Sequence, residues 1–236
     1  MVYRKFILRL AATIGTLTLG TALNAQIVSY DMTGNSGITT EQNVSLKNVN
    51  VTASTLTRTD LSAASGTDLF VSSAWNTTNA LLLNIDYIGF SLAPTGGYSA
   101  NLTQLSFKVN GSPAAPANLV VAYSTDGFST SAQSSPYSIT TSLVNNTWDF
   151  NDFGVTAGTS VVFRFFAFGA TSVSGGTSTN SGTVRFDDIV LSGSVTAIPE
   201  LSTGAVCVGL AALCTVFFRS VRRRDVKSAN TRAPRP

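Results

Sequence analysis

Between Gln26 and Ala197 apolar residues recur at alternate positions in short runs, and no stretch shows the three-to-four spacing of an amphipathic helix. Leu105, Phe107 and Val109 alternate with Gln104, Ser106 and Lys108, the pattern of a strand with one face buried and one wet. Leu81, Leu83, Ile85 and Tyr87 share one face of a strand expected to run on to Leu92. Val49, Val51 and Ala53 alternate with Asn and Thr, and further strands are expected over 119–123, 137–144, 161–168 and 184–191. Turn chemistry separates them at Pro94-Thr-Gly-Gly97, Asn110-Gly111, Asp126-Gly127, Ala157-Gly158 and Gly175-Gly176. Eight or nine strands over about 170 residues predict an all-β domain of two packed antiparallel sheets, a jelly-roll-like β-sandwich. The chain's 14 Phe and 2 Trp supply the bulk for one inter-sheet core.

The pattern changes at both ends. Arg4, Lys5 and Arg9 precede an apolar stretch from Leu10 to about Gly20, and small residues follow up to Ala25. Basic head, short apolar body and small residue at the cut read as a secretory signal peptide over 1–25. Residues 201–218 carry no charge. At ~1.5 Å per residue they make a helix of about 27 Å, sufficient to cross a bilayer. Arg219, Arg222, Arg223 and Arg224 follow at once. They orient the span with its tail, 225–236, in the cytoplasm and residues 26–197 outside.

Pro199-Glu200, a few small polar residues, one apolar span and an Arg cluster, together covering 198–224, resemble the PEP-CTERM sorting domain. Leu201 stands where that family carries a second proline. The resemblance implies an exported chain held transiently in the inner membrane and recognised at Pro199 and Glu200 by an exosortase-type processing enzyme. The ectodomain would then pass to the cell surface or the extracellular biofilm matrix; a permanent single-span anchor is the alternative. Phe70-Val-Ser-Ser-Ala-Trp75 and Tyr123-Ser-Thr-Asp-Gly-Phe128 resemble fragments of the β-sandwich ectodomains that often precede such segments. That likeness implies the fold and says nothing of ligand.

Charge sharpens the division. The net charge of +3 hides a basic head, a basic tail and a middle with five Lys or Arg against ten Asp or Glu. The middle offers no cation cluster for phosphates, so no nucleic acid is expected as a partner. The chain has no histidine, and both cysteines, Cys207 and Cys214, lie in the C-terminal apolar run. Histidine bases and ligands, thiol nucleophiles and disulfides are thereby excluded from the sandwich. The remaining acids are one glutamate, Glu41, and nine aspartates. Asp126 before Gly127 reads as an Asx turn, and Asp149 and Asp152 as a solvated loop, so no enzyme is expected.

Two binding chemistries remain. Arg185-Phe-Asp-Asp-Ile-Val-Leu-Ser-Gly193 resembles the final strand of carbohydrate-binding jelly rolls. The resemblance implies a structural Ca²⁺ held by Asp187 and Asp188, with Asp31 as partner. Alternation puts Asp187 and Asp188 on opposite faces unless the strand is bulged, and a core face of Val184, Phe186 and Val190 points Asp188 inward. A strand-end aspartate satisfied by backbone or arginine is the alternative. For extracellular polysaccharide, Trp75, Tyr98 and Trp148 sit among Ser, Thr, Asn or Gly and are candidate platforms; core packing is the alternative for each.

Overall fold

The computed structural model describes residues 25–199. The signal peptide short of Ala25, Glu200, the helix over 201–218, Arg219, Arg222, Arg223, Arg224 and the tail lie outside the described residues. Those described form strands and no helix. In chain order they are β1 (Ala25–Tyr30), β2 (Glu41–Gln42), β3 (Leu46–Lys47), β4 (Val51–Ala53), β5 (Leu56–Thr59), β6 (Ser62–Ala63), β7 (Phe70–Ser73) and β8 (Tyr87–Pro94). The longer strands follow: β9 (Tyr98–Gly111), β10 (Pro116–Ser124), β11 (Ala132–Gln133), β12 (Tyr137–Ser138), β13 (Val144–Thr156), β14 (Val161–Ser172) and β15 (Val184–Ala197).

Two antiparallel sheets face each other. The first runs β13-β9-β15-β1-β3, with β7 on β15 and β6 on β7. The second runs β11-β10-β14-β8-β5-β2, with β12 on β10 and β4 on β8. Inward side chains follow the period-two pattern: Leu105, Phe107 and Val109 of β9 are buried, as the sequence predicts. Phe107 meets Tyr137 and Phe165 edge-on, Phe165 meets Phe186, and Phe90 stacks on Phe163 at 5.3 Å. Tyr123 is a second hub, touching Trp148, Phe150, Phe153 and Phe163. This is the one inter-sheet core that the aromatic content leads one to expect.

The departures from the sequence expectation have local causes. The strand expected from Leu81 begins only at Tyr87. Asp86 lies at φ 54°, and a left-handed residue ends extended chain. The strand expected over 137–144 shrinks to β12, while 148–153, expected as a loop, lies within the 13 residues of β13. Its register jumps from Asp149 opposite Gln104 to Phe153 opposite Leu102, and the residues between bulge out and break the alternation. Asn110-Gly111 closes β9 instead of turning; a Cβ at Gly111 would lie 2.9 Å from Ile139 Cγ2.

One polar side chain ties the sheets. Arg58 of β5 donates to Val71 O at 2.8 Å and Ser72 Oγ at 2.8 Å on β7, and to the carbonyls of Gly37 and Thr39. Its guanidinium also lies 3.6 Å from the centroid of the Phe70 ring. Burial pulls its pKa down to about 10, so it remains charged at neutral pH. Replacing Arg58 by Ala leaves several carbonyls short of a donor and is expected to cost about 2–4 kcal/mol in equilibrium urea unfolding. Arg58→Lys recovers less than half of this, because an ammonium lacks the planar fork that reaches two strands at once.

Candidate functional site

Two places gather chemistry. The first is an irregularity in β15. Asp187 pairs with Lys108 of β9 and Val190 with Ser106, so Asp188 and Ile189 together oppose Phe107. That extra residue is a β-bulge, with Asp188 at φ 46°. Buried positions accordingly run Val184, Phe186, then Ile189 and Leu191. The expectation that Val190 shares the core face and that Asp188 points inward is corrected: the bulge shifts the alternation by one residue. Asp187 and Asp188 emerge on the same outer side of the first sheet. Asp31, next after Tyr30, which pairs with Ile189, completes the group. Carboxylate oxygens of the three lie within 4.8 Å of one another.

The electrostatics of this group are mixed. The Lys108 ammonium hydrogen-bonds Asp188 Oδ2 and lies 3.7 Å from Asp187 Oδ2. The bond to Asp188 raises the lysine pKa. Asp31 Oδ1 accepts from the Thr33 hydroxyl at 2.6 Å and its N–H at 2.9 Å, and these bonds hold its carboxyl below the usual range. Asp187, more buried, is pushed up by desolvation first and by the Asp188 charge second. Asp187 Oδ1 also accepts from the Asp188 N–H at 2.9 Å.

The second place is the outer face of the second sheet. A hollow of about 180 Å³ is lined by Ser54, Thr57, Thr59, Tyr87, Ser91 and Val162, with Gly89 in its floor. A Cβ at Gly89 would stand 2.7 Å from Phe163 O, so the floor is bare backbone. Arg164, a lone cation in the apolar run of β14, lies between two rings, 4.2 Å from the Tyr87 centroid and 3.8 Å from that of Phe128. It donates to Leu83 O at 2.7 Å, while its buried Nε has no partner among the described residues. Two ring faces thus hold a partly desolvated guanidinium, which in turn fixes both rings. Asp60 and Asp86 lie one residue beyond the Thr59–Tyr87 pair. Burial, and then the charge of Asp60, raise the Asp86 pKa.

The sequence-derived platform residues fare differently. Trp75 is 1% exposed and donates Nε1–H to Ser72 O at 2.8 Å. Trp148 is 8% exposed and packs on Tyr123 and Phe150. Both are core residues, which corrects their reading as sugar platforms: a buried indole offers no face to a ligand. Tyr98 is half-exposed at the start of β9, on the other sheet from the hollow. Tyr87, Phe128 and Arg164 were not singled out as site residues. The signal was present in Val161-Val-Phe-Arg-Phe-Phe166, where a cation on an apolar strand needs aromatic cover.

No family model matches the chain, and no curated protein matches it. Solved structures similar to it include a family 4 carbohydrate-binding module, at 14% identity over 59% of this chain and 78% of that one, TM-score 0.36. A family 29 module complexed with mannohexaose is 12% identical over 72% and 92%, TM-score 0.38. The CBM22-1 xylan-binding domain of Paenibacillus barcinonensis Xyn10C is 14% identical over 73% and 97%, TM-score 0.35. The ligands named belong to those proteins, and likeness of this degree carries nothing over to this chain.

Phe128 reaches Arg164 from a turn held by Asp126. The Asp126 carboxylate accepts from Thr130 Oγ1 at 2.6 Å, Thr130 N at 3.0 Å and Ser124 Oγ at 2.7 Å. These bonds, the Thr130 hydroxyl foremost, lower its pKa from 3.8 to about 2. A carboxyl depressed on folding stabilises above its unfolded pKa and loses that contribution as pH falls through the folded one. The turn therefore stays closed at pH 4 and loosens toward about pH 2. Asp126→Asn is expected to speed hydrogen exchange at the Thr130 amide about tenfold at neutral pH, read by NMR.

Proposed function

We propose that this chain is an exported, non-catalytic module that engages extracellular polysaccharide across the outer face of its second sheet. The observation that carries the reading is the Arg164-braced Tyr87 ring beside an open, hydroxyl-rich hollow. Sugar recognition needs a flat apolar surface for the ring's C–H face and hydrogen-bonding groups around it. Tyr87 offers the first with the part of its ring that Arg164 and Phe166 leave uncovered. Thr59 and Ser91 line the hollow and offer the second, beside Ser54 and Thr57, whose hydroxyls bond to Thr55 O and Gly89 O. The hollow is smaller than the ~300–1,000 Å³ of an enclosing ligand pocket, which suits a polymer lying along a surface.

The same openness supports a non-catalytic role. Asp60 and Asp86 follow and precede the lining residues Thr59 and Tyr87 without lining the hollow themselves, and the chain has no histidine to share proton transfer. Tyr87→Ala in the full-length chain is expected to weaken retention by polysaccharide in affinity electrophoresis about tenfold, with Trp75 and Trp148 left in place as core. No new reducing ends are expected to form. Undiminished retention by the Tyr87→Ala chain, or retention by no polysaccharide at all, would remove the reading.

Export and sorting rest on the terminal segments. Their support is the basic head and apolar body before Ala25, the uncharged run over 201–218 and the arginines after it. Pro199 is exposed and lies two residues past the end of β15, outside any strand, where a processing enzyme can take hold of extended chain. Mass spectrometry of the mature protein is expected to give a start near Gln26 and an end near Pro199. A species still ending at Pro236 would argue for a permanent anchor.

A further inference from the structure

Calcium is the ion that the resemblance of residues 185–193 implies for Asp31, Asp187 and Asp188, and the contacts of these residues argue for a different occupant. Ca²⁺ takes about 6–8 oxygens at about 2.3–2.6 Å. Here Asp31 Oδ1 is already engaged by two donors of Thr33, and Asp187 Oδ1 by the Asp188 N–H. The ammonium of Lys108 bonds Asp188 Oδ2 and lies 3.7 Å from Asp187 Oδ2. A divalent ion among the same oxygens would meet a positive charge a few ångströms away.

The placement of Lys108 follows from the backbone. Lys108 is the registered partner of Asp187 across β9 and β15, so their side chains stand on the same face. The bulge then turns Asp188 to that face, and β1 delivers Asp31 from the other side of β15. Two of the three carboxylates converge on one ammonium that the chain itself supplies. We infer that Lys108 is the resident cation of this cluster, and that the sandwich reaches its native stability without calcium.

Thermal unfolding of the full-length chain, in EDTA and in millimolar CaCl₂, tests this. Wild-type Tm is expected to agree within about 1 °C between the two, whereas an ion at a hundred times its Kd would raise it by about 5–10 °C. Lys108→Met removes the ammonium and leaves the carboxylates facing one another. Its Tm is expected to fall by about 1–4 °C in EDTA and to recover most of that in CaCl₂. Lys108→Arg keeps a cation and is expected to remain indifferent to calcium. A calcium-dependent rise of 5 °C or so in the wild type, or a Lys108→Met chain as stable in EDTA as wild type, overturns the inference. Should Lys108→Met not fold, calorimetric titration of CaCl₂ into wild type and Lys108→Arg decides: absence of binding heat supports it, and saturable heat on the wild type overturns it.

Discussion

The two sheets are held by interdigitated aromatic side chains and by no covalent link, since neither cysteine lies in the sandwich. Everything else is arranged around that contact. Each buried aromatic removes ~150–250 Å² from water, at about 25 cal/mol per Å², and does so only if its strand keeps the right register. Phe107, Phe165 and Phe186 form one continuous run of edge contacts across the interior, and Tyr123 with its four partners forms another. Arg58 adds a polar tie where β5 and β7 approach, its flat head laid over the Phe70 ring. A slip by one residue in β9 or β15 would exchange Phe107 for Ser106 or Lys108 and Phe186 for Arg185 or Asp187.

Two of the register shifts fall at places with chemistry. The bulge in β15 gathers Asp187 and Asp188 on one face, and the irregularity in β13 lets both Phe150 and Phe153 reach Tyr123. An uninterrupted alternation would have split each pair between core and solvent. On the second sheet the comparable device is a side chain. Arg164 on an apolar strand draws Tyr87 and Phe128 over it, and through Leu83 O it also anchors the connection ahead of β8. The two faces differ accordingly, one fastened by charge and the other dressed with rings and hydroxyls.

The sandwich architecture was legible because β9 alternates strictly over 105–109 and β10 and β14 are short apolar runs bounded by turn residues. Asp126 as a turn aspartate was legible too, since Asp-Gly carries its own backbone preference. Burial of tryptophan was not. Trp75 and Trp148 stand among polar neighbours, and local composition does not say whether a ring folds inward; Ala74 at φ 64° helps set that direction for Trp75. The bulge beside Asp188 was equally hidden, because it arises from pairing with β9 and β1, which lie far off in the chain. Tyr87 was seen as a strand residue, and its role depends on Arg164 and Phe128, each contributed by a different element.

β15 has a further property that follows from its place in the first sheet. It pairs with β9 along nearly its whole length and with β1 and β7 on the other edge, and it ends at Ala197. A pull applied at that end enters at an interior strand and runs parallel to its axis, so many ladder bonds must shear together before the strand can leave. A peripheral strand would peel off bond by bond under a much smaller load. β15 is thus clamped by ladders on both edges that load in shear, whatever the source of the pull.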